Sequence, residues 1–376
     1  MNPIDHQRRR TRSSAQGGAP SAAVATGQAA NQGPGLARPA VRLGLPANQQ
    51  AAASPPLRPA AQPVPPVHPA DLQQAAYVVA REAVGRPLTE ESKALLWTAN
   101  ETRKEVLELL PLGRGNIESD LQTSGGHSRP RAVALRLLQG TLPFEGIAVP
   151  HQRAMQAAFA TRAGAGNCAE FAEVSAHVHA KHLSEGDRIV RQQIDNLDHG
   201  WARVQSATPV GGEPCSGPAA ILDVWADGPI VEPTDSRHGS GRPRETHDSL
   251  RIDGADAASI VEAFEMSRGS GLDGLATQLA VLSDMIKSGA TSAPLMYFMD
   301  PIPVVSPGFA YSARNAIDRT SPTTLQASAV DALLEATTPV TREQAEAHAG
   351  TVVALAKNLD RPAPEARNVF RPIGED

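Results

Sequence analysis

The chain has 376 residues, a net charge of −5 and an isoelectric point near 6.1. That balance excludes general binding to nucleic acid, because neutralising phosphates needs an excess of Lys and Arg; the cluster Arg8, Arg9, Arg10 and Arg12 is read as a solvated tail. No apolar run approaches the roughly 20 residues of a membrane span, no cleaved-leader pattern follows Met1, and Asn2 in place of Gly excludes N-myristoylation, so a soluble chain without a stable membrane anchor is expected.

Residues 1–69 are Ala, Pro, Gln, Gly and Ser with almost no aromatics, a composition that cannot bury enough apolar surface to offset chain entropy; a disordered arm is expected, its Pro-rich end acting as a spacer. From 70 to 376 the pattern predicts one α+β domain. A helical layer covers about 70–163, a cysteine-centred core about 164–230, and further helices complete it. Asp71 is expected to cap a first helix carrying Leu72, Ala75, Ala76, Val79 and Ala83, and Thr89 a second running to Leu110. Periodicity predicts two more over 131–138 and 152–162.

The stretch Gly164 to His182 then reads as a glycine-loosened loop entering a helix at Cys168. Asn167 is a good N-cap, and Glu170 three residues on can reach back to the backbone N–H of the cap. A thiol at the first helical position faces unsatisfied N–H groups and the positive end of the helix dipole, which favour the thiolate. Phe171, Ala172, Val174, Ser175 and Val178 form the expected buried stripe. His177, His179 and His182 are read as a solvated helix face rather than a metal site, so no metal is expected.

Beyond a polar connection the period changes to two. His199, Trp201 and Arg203 alternate with Gly200, Ala202 and Val204, and Ile221, Asp223 and Trp225 with Leu222 and Val224, across the turn-rich loop 208–214. A hairpin symmetric about Gly211 would set His199 opposite Asp223 and Trp201 opposite Ile221. Residues 229–247 read as a mobile Gly/Pro/Arg/Ser-rich loop, 257–266 and 272–286 as helices, 295–299 as a short apolar strand or core segment, and 327–336 and 342–359 as helices. Both Cys168 and Cys215 are expected as free thiols.

Together, Cys168, His199 and Asp223 suggest a nucleophilic thiol, an imidazole that takes and returns its proton, and a carboxylate that orients the imidazole. Trp201 and Trp225 would flank this site and limit water. Asn167 and Glu170 are candidate substrate-binding residues beside the thiol, and Arg162 would either hold an anionic substrate or cover a helix stem. No cofactor is needed for such chemistry.

The segments G-N-C-A-E-F-A (166–172), D-H-G-W-A-R-V (198–204) and L-D-V-W-A (222–226) resemble the three motifs of the transglutaminase-like branch of papain-like enzymes. Including residues 159–166, the sequence is most similar to the AvrPphE/HopX/XopE family of type III effectors from plant-pathogenic bacteria. The likeness runs from about 71 to the C-terminus. It implies a papain-like core with the cysteine helix packed on an antiparallel sheet carrying His and Asp. It further implies Cys168, His199 and Asp223 as catalytic residues, an N-terminal arm serving secretion and translocation, and delivery into the host-cell cytoplasm or nucleus. Its partner would be a host protein substrate or regulator, with a host activator as a further partner, and the protein itself a monomer. The triad alone leaves open a cysteine protease, a transglutaminase or deamidase, an enzyme of a small metabolite such as a nucleotide sugar, or a catalytically silent binding module.

Overall fold

A computed structural model describes residues 66–194, 197–207, 217–238, 246–269, 272–292 and 297–361. The arm expected over 1–69, the loop 208–214 and Cys215 therefore lie outside the described residues, except for 66–69. There Val67 is already buried, so ordered packing starts a few residues before the expected boundary at 70.

Five helices precede the cysteine: α1 (Pro69–Ala83), α2 (Glu90–Leu109), α3 (Glu118–Thr123), α4 (Ser128–Gln139) and α5 (Val149–Ala163). Thr89 caps α2 by accepting the Ser92 N–H, as expected. The cap of α1 is His68, whose Nδ1 accepts from Ala70 N–H at 3.1 Å. Asp71, expected in that role, is instead buried and bonds Asn100 and Lys104 on α2, joining the two helices. The helix α3 was not anticipated.

Two short strands, β1 (Gly113–Arg114) after α2 and β2 (Ala165–Gly166) after α5, pair in parallel, and β2 leads into α6 (Cys168–His179). A four-stranded antiparallel sheet follows: β3 (Arg188–Ile194), β4 (Leu197–Gln205), β5 (Ala219–Leu222) and β6 (Thr246–Asp253), ordered β5-β4-β3-β6. The anticipated hairpin β4–β5 forms. Its register is Ala202↔Leu222 and Arg203↔Ile221 rather than Trp201↔Ile221, a slip of two residues. The second strand is also shorter than expected: β5 stops at Leu222, so Asp223 and Trp225 lie just beyond its end and cross-strand register does not itself set Asp223 against His199. The stretch read as a polar connection contains β3, and the stretch read as a loop ends in β6.

The cysteine helix packs on β3 and β4. It is buried on every side rather than along one stripe, with Glu170, Glu173, Ser175, His177 and His179 inside as well. The expected solvated histidine face is thus corrected: His177 and His179 are each 1% exposed and only His182 reaches solvent. The physical reason is that α2, α5 and α7 (Gly254–Gly269) enclose the side of α6 away from the sheet. The chain ends in α8 (Asp273–Lys287), α9 (Pro307–Ile317), α10 (Pro322–Leu334) and α11 (Arg342–Ala356). The last three pack against α1. Of the apolar run expected over 295–299, residues 295–296 lie outside the described residues; 297–299 is not a strand, Tyr297 and Phe298 are 83% and 46% exposed, and only Met299 packs against the core. No helix among the described residues is long and apolar enough to cross a membrane.

Burial of neutral imidazoles makes this fold sensitive to acid. Burial, reinforced by His182, drives the pKa of His179 from 6.5 down to about 3; burial with Lys104 and Arg103 lowers that of His68 to about 4. Both groups remain neutral in the fold while the unfolded chain takes up protons near 6.5, so their effect is a loss of stability as pH falls from about 6.5 toward 3. The melting temperature should fall across that range. His179→Gln, which can keep the contact with Thr102 Oγ1 (2.8 Å from Nδ1), should make the fall shallower in calorimetry at several pH values.

Candidate active site

The approach to Cys168 is built by backbone geometry. Gly164 closes α5 in the left-handed region at φ +66°, turning the chain into β2, where Gly115 N–H donates to Gly166 O at 2.9 Å. A Cβ on Gly166 would fall 2.6 Å from Glu170 Cβ, so glycine is required for the strand to approach the helix start this closely. Asn167 caps α6, and its backbone N–H donates to Glu170 Oε2 at 2.7 Å, the returning half of a capping box. Arg136 of α4 holds the same carboxylate at 3.4 Å. Asn167 and Glu170 are therefore occupied in shaping the helix start that presents Cys168, a free thiol 7% exposed.

The structure brings Cys168, His199 and Asp223 together. His199 Nε2 lies 2.6 Å from Asp223 Oδ2, and the other carboxylate oxygen accepts from Ala226 N–H at 3.1 Å. His199 Nδ1 is buried and makes no hydrogen bond of good geometry, while the Cys168 thiol lies within interaction range of the ring. Burial opposes charge on His199, but the Asp223 charge and hydrogen bond, with the thiol, outweigh it and raise its pKa to about 10. For Asp223 burial acts upward. The facing His199 charge and hydrogen bond, with a smaller contribution from His238, hold it well below the usual carboxylate range.

Trp201 and Trp225 flank the imidazole, with ring centroids 5.9 Å and 5.1 Å away. Trp225 Nε1 donates to Asn116 Oδ1 at 3.2 Å, which ties the Asp223 segment to the residues just after β1. Arg114 reinforces that tie. Its guanidinium grips both oxygens of Asp120 at 2.8 Å and reaches Trp225 O at 3.0 Å and Asp227 Oδ1 at 3.3 Å, all buried. Arg162 does not join the group. It donates to Arg268 O, Gly269 O and Asp273 Oδ1, joining α5 to α7 and α8, at the edge of a 570 Å³ cleft whose lining includes none of Cys168, His199 and Asp223.

Sequence reasoning missed one member of this cluster. His238 is 4% exposed; its Nε2 lies 3.3 Å from Asp223 Oδ2, and its ring stands 4.6 Å from Trp201 and 4.8 Å from His199. The Gly/Pro/Arg/Ser-rich composition around it reads as loop and hides it; no periodicity signals such a residue. His199, Asp223 and His238 offer ligand atoms within 4.8 Å of one another, the one such group among the described residues. However, 2.6 Å between Nε2 and Oδ2 is short of the roughly 3.3 Å that tetrahedral zinc requires at bonds of about 2.0–2.1 Å, and it suits a shared proton.

No protein-family model, curated protein or solved structure matches the chain.

Proposed function

We propose that the protein is a cysteine-nucleophile enzyme with a papain-like, transglutaminase-like core, delivered as a type III effector to act on a host protein. The observation that carries this reading is the buried line from the thiol at the start of α6, through His199, to Asp223 at 2.6 Å. With Nε2 committed to Asp223, Nδ1 is the nitrogen available to the thiol. His199 then holds the proton and Cys168 the negative charge, next to the free N–H groups of the first turn of α6.

In this mechanism the sulfur attacks an amide carbonyl carbon, and the electron pair moves onto the oxygen, stabilised by first-turn N–H groups. Collapse breaks the C–N bond as the imidazolium passes its proton to the leaving nitrogen, which leaves a thioester on Cys168. Water or an amine, deprotonated by His199, attacks the thioester and frees the thiolate. Water after a backbone amide gives proteolysis, water after glutamine gives deamidation, and an amine gives a cross-link.

The test is mass spectrometry of plant extract incubated with the wild-type protein or Cys168→Ala. We expect new peptide termini, glutamine converted to glutamate, or glutamine–amine cross-links with the wild-type protein alone. Identical peptide profiles from the two proteins, with no altered metabolite either, would defeat the reading.

A further inference from the structure

Asp223 Oδ2 is approached by two imidazoles, His199 at 2.6 Å and His238 at 3.3 Å. A carboxylate oxygen accepts two donors, so the second ring completes rather than displaces the first. Among the described residues His238 Nε2 has no other partner, and the contact it makes departs from ideal hydrogen-bond geometry. Burying an imidazole at 4% exposure on such terms is costly unless the arrangement holds something in place.

The segment that carries His238 is anchored from behind by α1. Gln74 exchanges two hydrogen bonds with the backbone of Ile230, at 3.1 Å and 2.9 Å. Asp235, fully buried, accepts from Tyr77 Oη at 2.8 Å and pairs with Arg81 at 2.7 Å and Arg86 at 3.0 Å. Tyr77 Oη in turn accepts from Glu232 N–H at 3.1 Å. On the other flank Arg237 N–H donates to Val304 O at 2.8 Å, and the backbone N–H of His238 to Ser236 Oγ at 3.0 Å. The ring then lies stacked on Trp201 at an interplanar angle of 19°. These contacts leave little freedom to a residue that sequence composition places in a loose loop.

We infer that His238 is a positioning residue: it fills the second acceptor site of Asp223 Oδ2 and so holds the carboxylate in the one orientation that aligns His199 with the Cys168 thiol. The inference rests on the thiol–imidazole reading above and adds a fourth residue to it, together with the α1 contacts that keep that residue in place.

The experiment follows alkylation of Cys168 by iodoacetamide from pH 5 to 9 in the full chain carrying Cys215→Ser, so that one thiol reports. His238→Phe keeps a stacking ring without a donor, and His238→Gln keeps a donor without the ring. The Phe variant should react roughly tenfold more slowly at pH 6, the effect of losing one hydrogen bond to a charged group, with its inflection moved to higher pH. The Gln variant should recover most of the rate. A Phe variant that folds and reacts as the wild type does would overturn the inference. If Phe abolishes the melting transition, His238→Ala decides: added imidazole should restore its rate, and failure to do so counts against the proposal. Wild-type Cys168 reacting with the pH dependence of an ordinary thiol would instead sink the thiol–imidazole reading itself, whatever the His238 variants do.

Discussion

His199→Ala will slow alkylation of Cys168 by roughly 100-fold at pH 6 and by almost nothing at pH 10. Asp223 and the thiol keep the imidazole protonated up to about 10, against an ordinary value of 6.5. A permanent positive charge beside the sulfur favours its anion across the neutral range. A cysteine with no such partner has an ordinary value near 8.5, at which only about 0.3% is ionised at pH 6. The greater intrinsic nucleophilicity of a more basic thiolate recovers a few-fold of the loss. At pH 10 even an ordinary thiol is mostly ionised, so the charge on the imidazole no longer matters and the rates converge. Equal rates at pH 6 would mean that the imidazole and sulfur do not communicate.

The same substitution carries a stability signature with a defined sign. His199 has its pKa raised on folding, so its contribution is complete below 6.5 and disappears as pH rises toward 10. Asp223 has its pKa lowered, so its contribution is complete above its ordinary value of 3.8 and fades as pH falls below it. The difference in melting temperature between wild type and His199→Ala should therefore be widest between about pH 4 and 6.5 and narrow on the alkaline side.

The second large effect is expected at Arg114, far in sequence from the thiol. It is 1% exposed and neutralises Asp120 and Asp227, both buried. Arg114→Ala removes the buried cation that these two carboxylates share, a change that typically costs about 3–5 kcal/mol, or roughly 10 °C in melting temperature for a domain of this size. Arg114→Lys restores charge but not the paired grip on both Asp120 oxygens, and should recover only part of the loss. Adding Asp120→Asn to Arg114→Ala should also recover part, because it removes one of the buried negative charges. Because Arg114 joins β1 to the backbone at Trp225, its variants should also lower Cys168 reactivity in proportion to the fraction folded and no further. An Arg114→Ala protein melting with the wild type in scanning calorimetry would rule this account out.

What could be read from the sequence was local. The start of α6 is signalled by Asn167 and Glu170 flanking Cys168, and the long helices by their apolar spacing. The convergence of His199 and Asp223 was read from period-two alternation, but Asp223 lies just past the end of β5, so their meeting does not come from the cross-strand pairing that reading assumed. The strands β3 and β6 were illegible for a physical reason. β3, at Arg188–Ile194, carries Arg188, Arg191, Gln192 and Gln193 around Ile189 and Val190, and β6 has only Leu250 and Ile252 among polar neighbours. β3 is paired on both edges and buries the adjacent Ile189 and Val190, which point to opposite faces, so it does not alternate, and β6 is placed by its pairing with β3. His238 and the acid-buried histidines of α6 depend on contacts with helices distant in sequence, which no window of neighbours contains.

The first described helix, α1, packs on α2, which follows it directly, and more extensively on α9, α10 and α11. A ribosome delivers α1 long before those three helices, which begin at Pro307. The apolar side of α1 and the Asp235 contacts that draw on it must then wait, in solvent or on a chaperone, and final closure falls to a late, long-range step that is slow by its topology.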